Sequence, residues 1–296
     1  MGSVEVIPSI SSSTIALLTG IYTDLLQTIH AFDKEAWSLF KTRKWKLLWL
    51  HLRGHFLLPV GVGIILSLLT TVRLISYLLV RYPIEVWSFF GGLSLVAVVS
   101  IYRKITTHTW RTICYSLLGL LASSLIIATD VIITSHTPEV IFLSGILAAC
   151  AMILPGISGS FLLLILGQYT YLLHALQDLA WGVLSLFATG AVIGLFLASK
   201  LVLQLFRNHA DTMMALVAGF MTGSLYHIWP WKHASSAFSH DAAVAYASRT
   251  TNILPHQFQW IYQQDPHIWQ AILCCAFGCT SVMLLTQWGL KKQHHF

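Results

Sequence analysis

Six uninterrupted apolar stretches dominate the sequence, and each is long enough to cross the hydrocarbon core of a bilayer as a helix. They cover residues 56–80, 86–102, 111–130, 182–206, 211–229 and 268–290. Only 9% of the 296 residues are charged, whereas a soluble chain carries about 25% charged residues. An ordinary soluble protein is therefore excluded, and the sequence predicts an all-α polytopic membrane protein.

Two further apolar segments, 6–29 and 141–176, are interrupted by proline and small polar residues. The interruptions run from Pro8 to Ser13 and from Pro155 to Ser160. Such a break would leave backbone polar groups unsatisfied in lipid unless it is buried in protein or lines a wet cavity. Both segments are therefore predicted to be re-entrant helical hairpins, which enter and leave the membrane on the same side.

The distribution of lysine and arginine gives the orientation. If the hairpins do not cross, twelve of these residues fall on one side, in segments 30–55, 103–111, 207–210 and the C-terminus. The other side carries three, namely Arg81, Lys232 and Arg249. By the positive-inside rule the first side is cytoplasmic. Segment 33–53 is then a basic cytoplasmic insertion, and segment 230–266 is an outer loop.

The chain repeats itself, since residues 8–29 match residues 155–176 at a constant offset of 147. The span after each hairpin aligns at an offset of 127, because the first copy carries the insertion. Each copy is one hairpin plus three spans, and this odd number of crossings inserts the second copy upside down. The sequence predicts two inverted-topology repeats, 1–130 and 131–296, as in many secondary transporters.

Two cations, Arg73 and Lys200, occupy equivalent positions inside the aligned spans. A cation within a span costs about 2.5–3.5 kcal/mol on insertion scales, so a functional role is the first interpretation. The alternative is that each side chain snorkels to the nearer interface. The same spans carry rows of small residues at every fourth position, Gly63-Ser67-Thr71 and Gly190-Gly194-Ala198, which predict close packing of neighbouring backbones.

The two hairpin breaks have the chemistry of an anion site. A Pro/Gly/Ser turn at membrane mid-depth directs backbone N–H donors at the start of its second half-helix into the cavity. Hydroxyl groups and small residues add donors and allow close approach; these candidate phosphate ligands are Ser11, Ser12, Ser13, Thr14, Ser158, Gly159 and Ser160. The alternative is that they only cap the half-helices.

Glu5 is the acid within the first hairpin. It is a candidate proton-coupling group, and the alternative is a solvated acid near the N-terminus. The histidines and cysteines show no metal-ligand spacing, so neither a metal nor another cofactor is expected beyond a coupling ion or proton.

At the hairpin breaks the sequence resembles the domain of unknown function 368 family, the PopT-type polyprenyl-phosphate transporters. Residues 151–169 are similar to the family signature A-M-x-L-P-G-I-S-G-S, followed by its glycine and tyrosine. Residues 2–22 are similar to the first signature, with Glu5 in place of an aspartate and serines in place of three glycines. The segment Gly223-Ser224-Leu225 followed by Trp229-Pro230-Trp231 is similar to a third.

The resemblance implies a flippase that returns undecaprenyl phosphate from the outer to the inner leaflet of the bacterial cytoplasmic membrane. The partners would be this lipid and the bilayer, with no nucleic acid, and the C-terminus would be cytoplasmic. We interpret the two hairpin loops as the phosphate site, and Arg73 and Lys200 as its outer-facing and inner-facing relay cations.

Two other functions remain open at this point. Membrane phosphatases of the BacA type, which act on undecaprenyl pyrophosphate, also have inverted repeats with E-x-x-P and P-G-x-S-R-S-G motifs. Their arginine position is occupied here by Gly159, and Thr14 and Ile15 offer no histidine, so the main electrostatic parts of phosphoryl transfer are missing. The other alternative is a small-anion or proton channel.

The outer loop has two interpretations. Its histidines, among them His233, His240 and His256, would suit a pH-sensitive lid, because histidine titrates near physiological pH. The simpler interpretation is an interfacial loop that tolerates them.

Overall fold

The structure is a computed structural model that describes residues 11–128, 135–234 and 250–293. The first half of the chain forms α1 (Ser12–Leu18), α2 (Tyr22–His30), α3 (Lys34–Lys41), α4 (Trp45–His51), α5 (Gly54–Arg81), α6 (Pro83–Lys104) and α7 (Trp110–Ala128). The second half forms α8 (Pro138–Ile153), α9 (Gly159–Ile165), α10 (Tyr169–Gln177), α11 (Trp181–Asn208), α12 (Ala210–Ser224), a 3-10 helix (Leu225–Ile228), β1 (Lys232–Ala234), β2 (Thr250–Asn252), α13 (Pro255–Tyr262) and α14 (Ile268–Gln293).

The predicted all-α membrane protein is confirmed, and all six predicted spans coincide with helices. Within the described residues, α6 and α11 are long and apolar enough to cross a membrane. Two bent pairs raise this number to four, namely α4 with the start of α5, bent by 74°, and α9 with α10, bent by 107°. Shorter apolar helices cover Trp110–Ile126, Pro138–Ile153 and Ile268–Leu284.

The helix boundaries recur at the offsets found in the sequence. Helices α1 and α2 have the same lengths as α9 and α10 and begin 147 residues earlier. Helices α5 and α11 both contain 28 residues and begin 127 residues apart, as do the starts of α6 and α12. The repeat is thus expressed in the secondary structure, whereas the inverted orientation of its copies stays a prediction.

The half-helix after each hairpin break is shorter than predicted, because a glycine ends it. Gly20 and Gly167 have φ values of 79° and 66°, the left-handed conformation common just after a helix C-terminus. The next N–H closes the turn in both copies, from Ile21 to the Ala16 carbonyl at 3.0 Å and from Gln168 to the Leu163 carbonyl at 2.9 Å. The chain then turns into a separate helix, α2 or α10.

The chain divides into two compact units. Unit 1 comprises residues 1–72 and 130–213, and unit 2 comprises residues 73–129 and 214–296. Each unit therefore draws on both predicted repeats. Unit 1 contains the hairpin and most of the first span of each repeat, and unit 2 contains the last two spans of each.

The basic insertion of unit 1 is helical rather than a plain loop. Asp33 caps α3, since its Oδ1 accepts hydrogen bonds from the N–H groups of Glu35 and Ala36, both at 3.0 Å. The same oxygen lies 3.1 Å from Nε2 of His51, at the end of α4. An ion pair of 2.7 Å between Arg53 and Asp24 then joins the end of the insertion to α2.

Helices α8 and α11 form the most extensive helix pair of unit 1. Their backbones come together at glycines, because a Cβ at Gly190 would collide with the carbonyl oxygen of Phe142, and one at Gly194 with that of Ile146. Gly145 of α8 approaches the Phe187 carbonyl in the same way. The close packing predicted for the row on α11 is confirmed.

The equivalent row on α5 behaves differently, since a Cβ at Gly63 meets no heavy atom within 4 Å among the described residues. Among the described residues, close packing is therefore not seen at this position. The described part of the chain places a close neighbour at Gly190 and none at the equivalent Gly63.

In unit 2, α6 packs along α14. The segment that carries β1 and β2 covers the first turns of both helices. Gly92 and Gly278 supply the close contacts of the pair, against the carbonyl oxygens of Cys275 and Phe89. Strands β1 and β2 pair antiparallel, with His233 opposite Thr251. Trp231 is buried against Ile84 and Ala271, at the first turns of α6 and α14.

Alanine substitutions at the equivalent glycines 63 and 190 are expected to have opposite effects. Gly190→Ala places a methyl group against the α8 backbone and should cost about 1–3 kcal/mol, as overpacking does. Gly63→Ala meets no neighbour and should stabilise α5 by about 0.5–1 kcal/mol, because alanine loses less backbone entropy than glycine. The midpoint of thermal unfolding in detergent micelles checks both, and a similar decrease for the two variants would contradict the packing described.

Candidate functional site

The two predicted hairpin breaks meet in unit 1. The described part of the first break, residues 11–14, is the N-cap and first turn of α1, and is called the first loop; residues 8–10 lie outside the described residues. The second loop, residues 154–160, links α8 to the first turn of α9. Ser11 and Ser158 occupy the N-cap positions of the two half-helices with nearly the same extended backbone, at φ −99° and −97°. The second loop can turn because Gly156 adopts a positive φ of 92°.

Among the described residues, three hydrogen bonds join the first hairpin to the break at the end of α8, each between residues more than 130 positions apart. The N–H group of Gly156 donates to Oγ1 of Thr14 at 3.0 Å. The hydroxyl of Ser13 donates to the carbonyl of Leu154 at 3.2 Å. The phenol of Tyr22, in α2, donates to the carbonyl of Ile153 at 2.7 Å. The backbone groups released where α8 is broken are therefore satisfied by side chains of the first hairpin.

Each loop also contains the same internal hydroxyl pair. In the second loop the hydroxyls of Ser158 and Ser160 lie 2.8 Å apart. In the first, the hydroxyls of Ser11 and Ser13 are hydrogen-bonded at 2.5 Å, and the N–H of Ser13 donates to Oγ of Ser11 at 3.3 Å. Ser13 uses its hydroxyl hydrogen on the Leu154 carbonyl, so Ser11 is the donor within the first pair, whereas either oxygen of the second pair can donate. A hydroxyl can rotate towards another acceptor without a movement of the backbone.

The loops are buried in this conformation. The exposed fraction is 1% for Ser11 and 2% for each of Ser13, Thr14 and Ser158. Ser12 and Ser160 are half-buried, and Gly159 packs against the carbonyl of Ala148. The hydroxyls of the two loops are therefore shielded from the surface and hydrogen-bond to protein groups.

The hydroxyl-bearing candidates lie together in the structure. Of the three charged candidates, Lys200 alone has a described side chain. Lys200 lies on α11 with an exposed side chain, directly after the buried pair Ala198 and Ser199. The side chain of Arg73 and the whole of Glu5 lie outside the described residues. The two loops themselves contain no charged residue, so the charge needed to hold an anion must come from elsewhere.

Tyr22 belongs to the site and was missed by the sequence analysis. It is 2% exposed, its ring packs edge-on against Phe206 of α11 with centroids 5.4 Å apart, and its hydroxyl reaches the break. The available signal was that Tyr22 and Tyr169 are identical in the two copies. The repeat accounts for this identity, so it does not by itself indicate a functional pair.

The second copy has a different anchor next to its own hairpin. Gln168 is fully buried, its amide donates to the carbonyl of Ser135 at 3.1 Å, and its Oε1 lies 3.0 Å from Nδ1 of His136. The His136 ring stacks on Tyr171 with centroids 4.1 Å apart. This contact fixes the turn between α9 and α10 to the residues that precede α8.

The fold and this site define a multi-pass helical membrane protein in which the half-helix α1 closes on the break after α8. The sequence profile of the undecaprenyl phosphate translocase-like family matches residues 1–245. The chain therefore belongs to that family, and the resemblance stated on the hairpin motifs is confirmed.

Two relatives extend the comparison over almost the whole chain. A polyprenyl-phosphate transporter of Vibrio cholerae serotype O1 is 34% identical over 292 residues, which cover 99% of this chain and 93% of that protein. A polyprenyl-phosphate transporter of Staphylococcus aureus is 31% identical over 250 residues, or 78% of this chain and 83% of that protein. No solved structure matches the chain.

Replacing Thr14 by valine is expected to destabilise the protein. The variant keeps the shape of the side chain but leaves the buried N–H of Gly156 without its acceptor, a loss of about 1–3 kcal/mol. Thermal unfolding in detergent micelles measures the effect.

Thr19→Val is the matched control. Thr19 donates to the Ile15 carbonyl at 2.8 Å within its own turn, and that carbonyl also accepts from the Thr19 N–H. No backbone group is left unpaired, so the decrease should be smaller. Equal effects of the two variants would mean that the contact between the loops does not stabilise the fold.

Proposed function

We propose that this chain is a flippase that returns undecaprenyl phosphate from the outer to the inner leaflet of the bacterial cytoplasmic membrane, for reuse in envelope synthesis. The names of both relatives support polyprenyl phosphate as the substrate. The observation that carries the proposal is the meeting of the two serine-rich loops within one compact unit. Such a meeting lets two loops from opposite halves of the chain share one phosphate.

The phosphate binds by replacing hydrogen bonds that the loops now make with each other. A phosphate monoester carries several strong acceptor oxygens and about −1.5 to −2 charges near pH 7. The hydroxyls of Ser11, Ser13, Ser158 and Ser160 can turn from their present partners to these oxygens. The closed loops are then the resting state, and the loaded state opens them towards one leaflet.

The charge comes from Arg73 and Lys200, at equivalent positions in the two copies. In an inverted pair one cation faces the outer leaflet and the other the inner leaflet, so each stabilises the phosphate on one half of its path. The isoprenoid tail remains in the hydrocarbon, because leaving lipid would expose apolar surface. Glu5 is proposed to accept the coupling proton. The proposed orientation has the C-terminus and the helices α3 and α4 on the cytoplasmic side.

Transport without hydrolysis is favoured over phosphatase activity. Phosphoryl transfer needs a positioned cation on the leaving phosphate and an acid–base group. Gly159 stands where the phosphatase motif has arginine, and the residues after the first-loop serines are Thr14 and Ile15. The loops offer hydroxyl donors suited to binding a phosphate and no group suited to cleaving it.

Leaflet exchange in proteoliposomes tests the proposal. Fluorescent undecaprenyl phosphate is incorporated and a membrane-impermeant quencher reports the outer pool, with phosphate release from undecaprenyl pyrophosphate followed in parallel. The wild type should accelerate exchange and release no phosphate. Arg73→Gln combined with Lys200→Gln, and separately Ser158→Ala combined with Ser160→Ala, should each slow exchange at least tenfold.

Arg207→Gln is the control for charge, since Arg207 is an exposed cation at the end of the same helix as Lys200. It should exchange lipid like the wild type. Phosphate release would move the chain to the phosphatase class. Conduction of small ions without lipid exchange would support a channel instead.

A further inference from the structure

A cation in unit 2 is held by groups that do not neutralise it. Lys232 begins β1, directly after the Trp229-Pro230-Trp231 segment, and its side chain is largely buried. Its ammonium donates a hydrogen bond of 2.6 Å to the carbonyl of His227 in the 3-10 helix. The same ammonium lies over the ring of Trp87 in α6, 4.4 Å from the ring centroid.

Neither contact compensates the charge, because a carbonyl and an aromatic face are dipolar or quadrupolar partners. Among residues 11–128, 135–234 and 250–293, no carboxylate lies within 4.0 Å of the Lys232 ammonium. The nearby acid of α6, Glu85, faces His267 instead at 3.8 Å. Among the described residues the positive charge of Lys232 is therefore matched by no ion pair, and it lies in a partly buried, aromatic environment.

A partly buried ammonium without a counter-charge costs free energy of desolvation. The Lys232 side chain nevertheless does not extend into water. The burial lowers the pKa of Lys232 to about 8. The ammonium is still the main form at pH 7. An anion that reached it would regain the lost solvation and would meet an ammonium already oriented by two contacts.

The surroundings hold Lys232 in place rather than letting it swing into water. The Nε1–H of Trp231 donates to the carbonyl of Pro266 at 2.9 Å, and that of Trp229 to the carbonyl of Ile253 at 2.8 Å. Trp231 is 8% exposed and Trp87 is 5% exposed. Tryptophans concentrate where hydrocarbon gives way to lipid headgroups, so this cluster lies at the depth of a headgroup phosphate.

We infer that Lys232, over Trp87, is a second anion site, which binds the phosphate monoester of a prenyl lipid at the outer surface before it enters the hairpin loops. Lysine suits this task as a compact point charge with three donors, of which one is used by His227. The identity of the lipid rests on the proposed function, and the outer placement rests on the charge distribution. The site itself rests on neither.

The alternative is a structural strap, in which Lys232 only fastens β1 to α6. The two roles predict different effects for two substitutions of Lys232. Lys232→Met keeps the apolar stem over Trp87 and removes the charge, whereas Lys232→Arg keeps the charge and can still stack on the ring. A strap needs the ammonium contacts with His227 and Trp87, so methionine lowers its thermal stability and changes anion binding only through that loss. An anion site loses binding with methionine even in protein that remains folded, and keeps binding with arginine.

Calorimetric titration of the full chain in nanodiscs tests the site, with farnesyl phosphate as the probe and farnesol and inorganic phosphate as comparisons. The wild type should bind farnesyl phosphate saturably, and Lys232→Met should weaken binding at least tenfold at a temperature where the variant is still folded. Lys232→Arg should restore it. Arg81→Gln, which removes an exposed cation assigned to the same side, should leave binding as in the wild type.

The pH profile adds a readout that a strap would not move. Wild-type affinity should fall about tenfold between pH 7 and pH 9, as an ammonium with a pKa of about 8 loses its proton. Lys232→Arg should be flat over this range, since arginine stays protonated. The other titratable groups around it, His227, His233, Glu85, Tyr262 and His267, are common to both proteins and are cancelled by the comparison.

Each outcome decides the inference. Equal binding by Lys232→Met and the wild type would overturn it and leave the strap. Equal affinity for inorganic and farnesyl phosphate would retain the anion site but assign it to free phosphate. The wild type could bind farnesyl phosphate through Lys232 and yet show no leaflet exchange. That result would retain the site and overturn the proposed function.

Discussion

The structure of unit 1 depends on how two broken helices satisfy their backbone groups inside a membrane. A break exposes N–H and carbonyl groups for which lipid offers no partner. Here Thr14 and Ser13 of one loop, and Tyr22 behind them, supply the partners for the break that ends α8. The second hairpin is therefore not self-sufficient, and the close packing of α8 on α11 through glycines holds its loop in reach of the first.

In the proposed mechanism these hydroxyls have two competing roles. The groups that seal the loops are also the groups that would receive the phosphate, so each hydrogen bond to the lipid replaces one within the protein. The loops supply donors but no charge. The charge is supplied by Arg73, Lys200 and Lys232.

The sequence predicted the features that depend on local pattern. The span at 182–206 is the helix Trp181–Asn208, and the second break falls at Pro155, because hydropathy and proline act over a few residues. The helices of the insertion were missed, although Asp33 carried a capping signal. The contacts of Thr14 with Gly156 and of Lys232 with Trp87 could not be predicted, since each joins residues about 140 positions apart and depends on the whole packing.

The interleaving of the two repeats in the compact units has a consequence for biosynthesis. Unit 1 combines residues 1–72 with residues 130–213, and unit 2 combines residues 73–129 with residues 214–296. Each unit therefore contains a segment from each half of the chain. When the ribosome has finished the first half, neither unit is whole, and the first hairpin has not yet met the break it will satisfy. The nascent chain must therefore be held in a protected, unassembled state until its second half has entered the membrane.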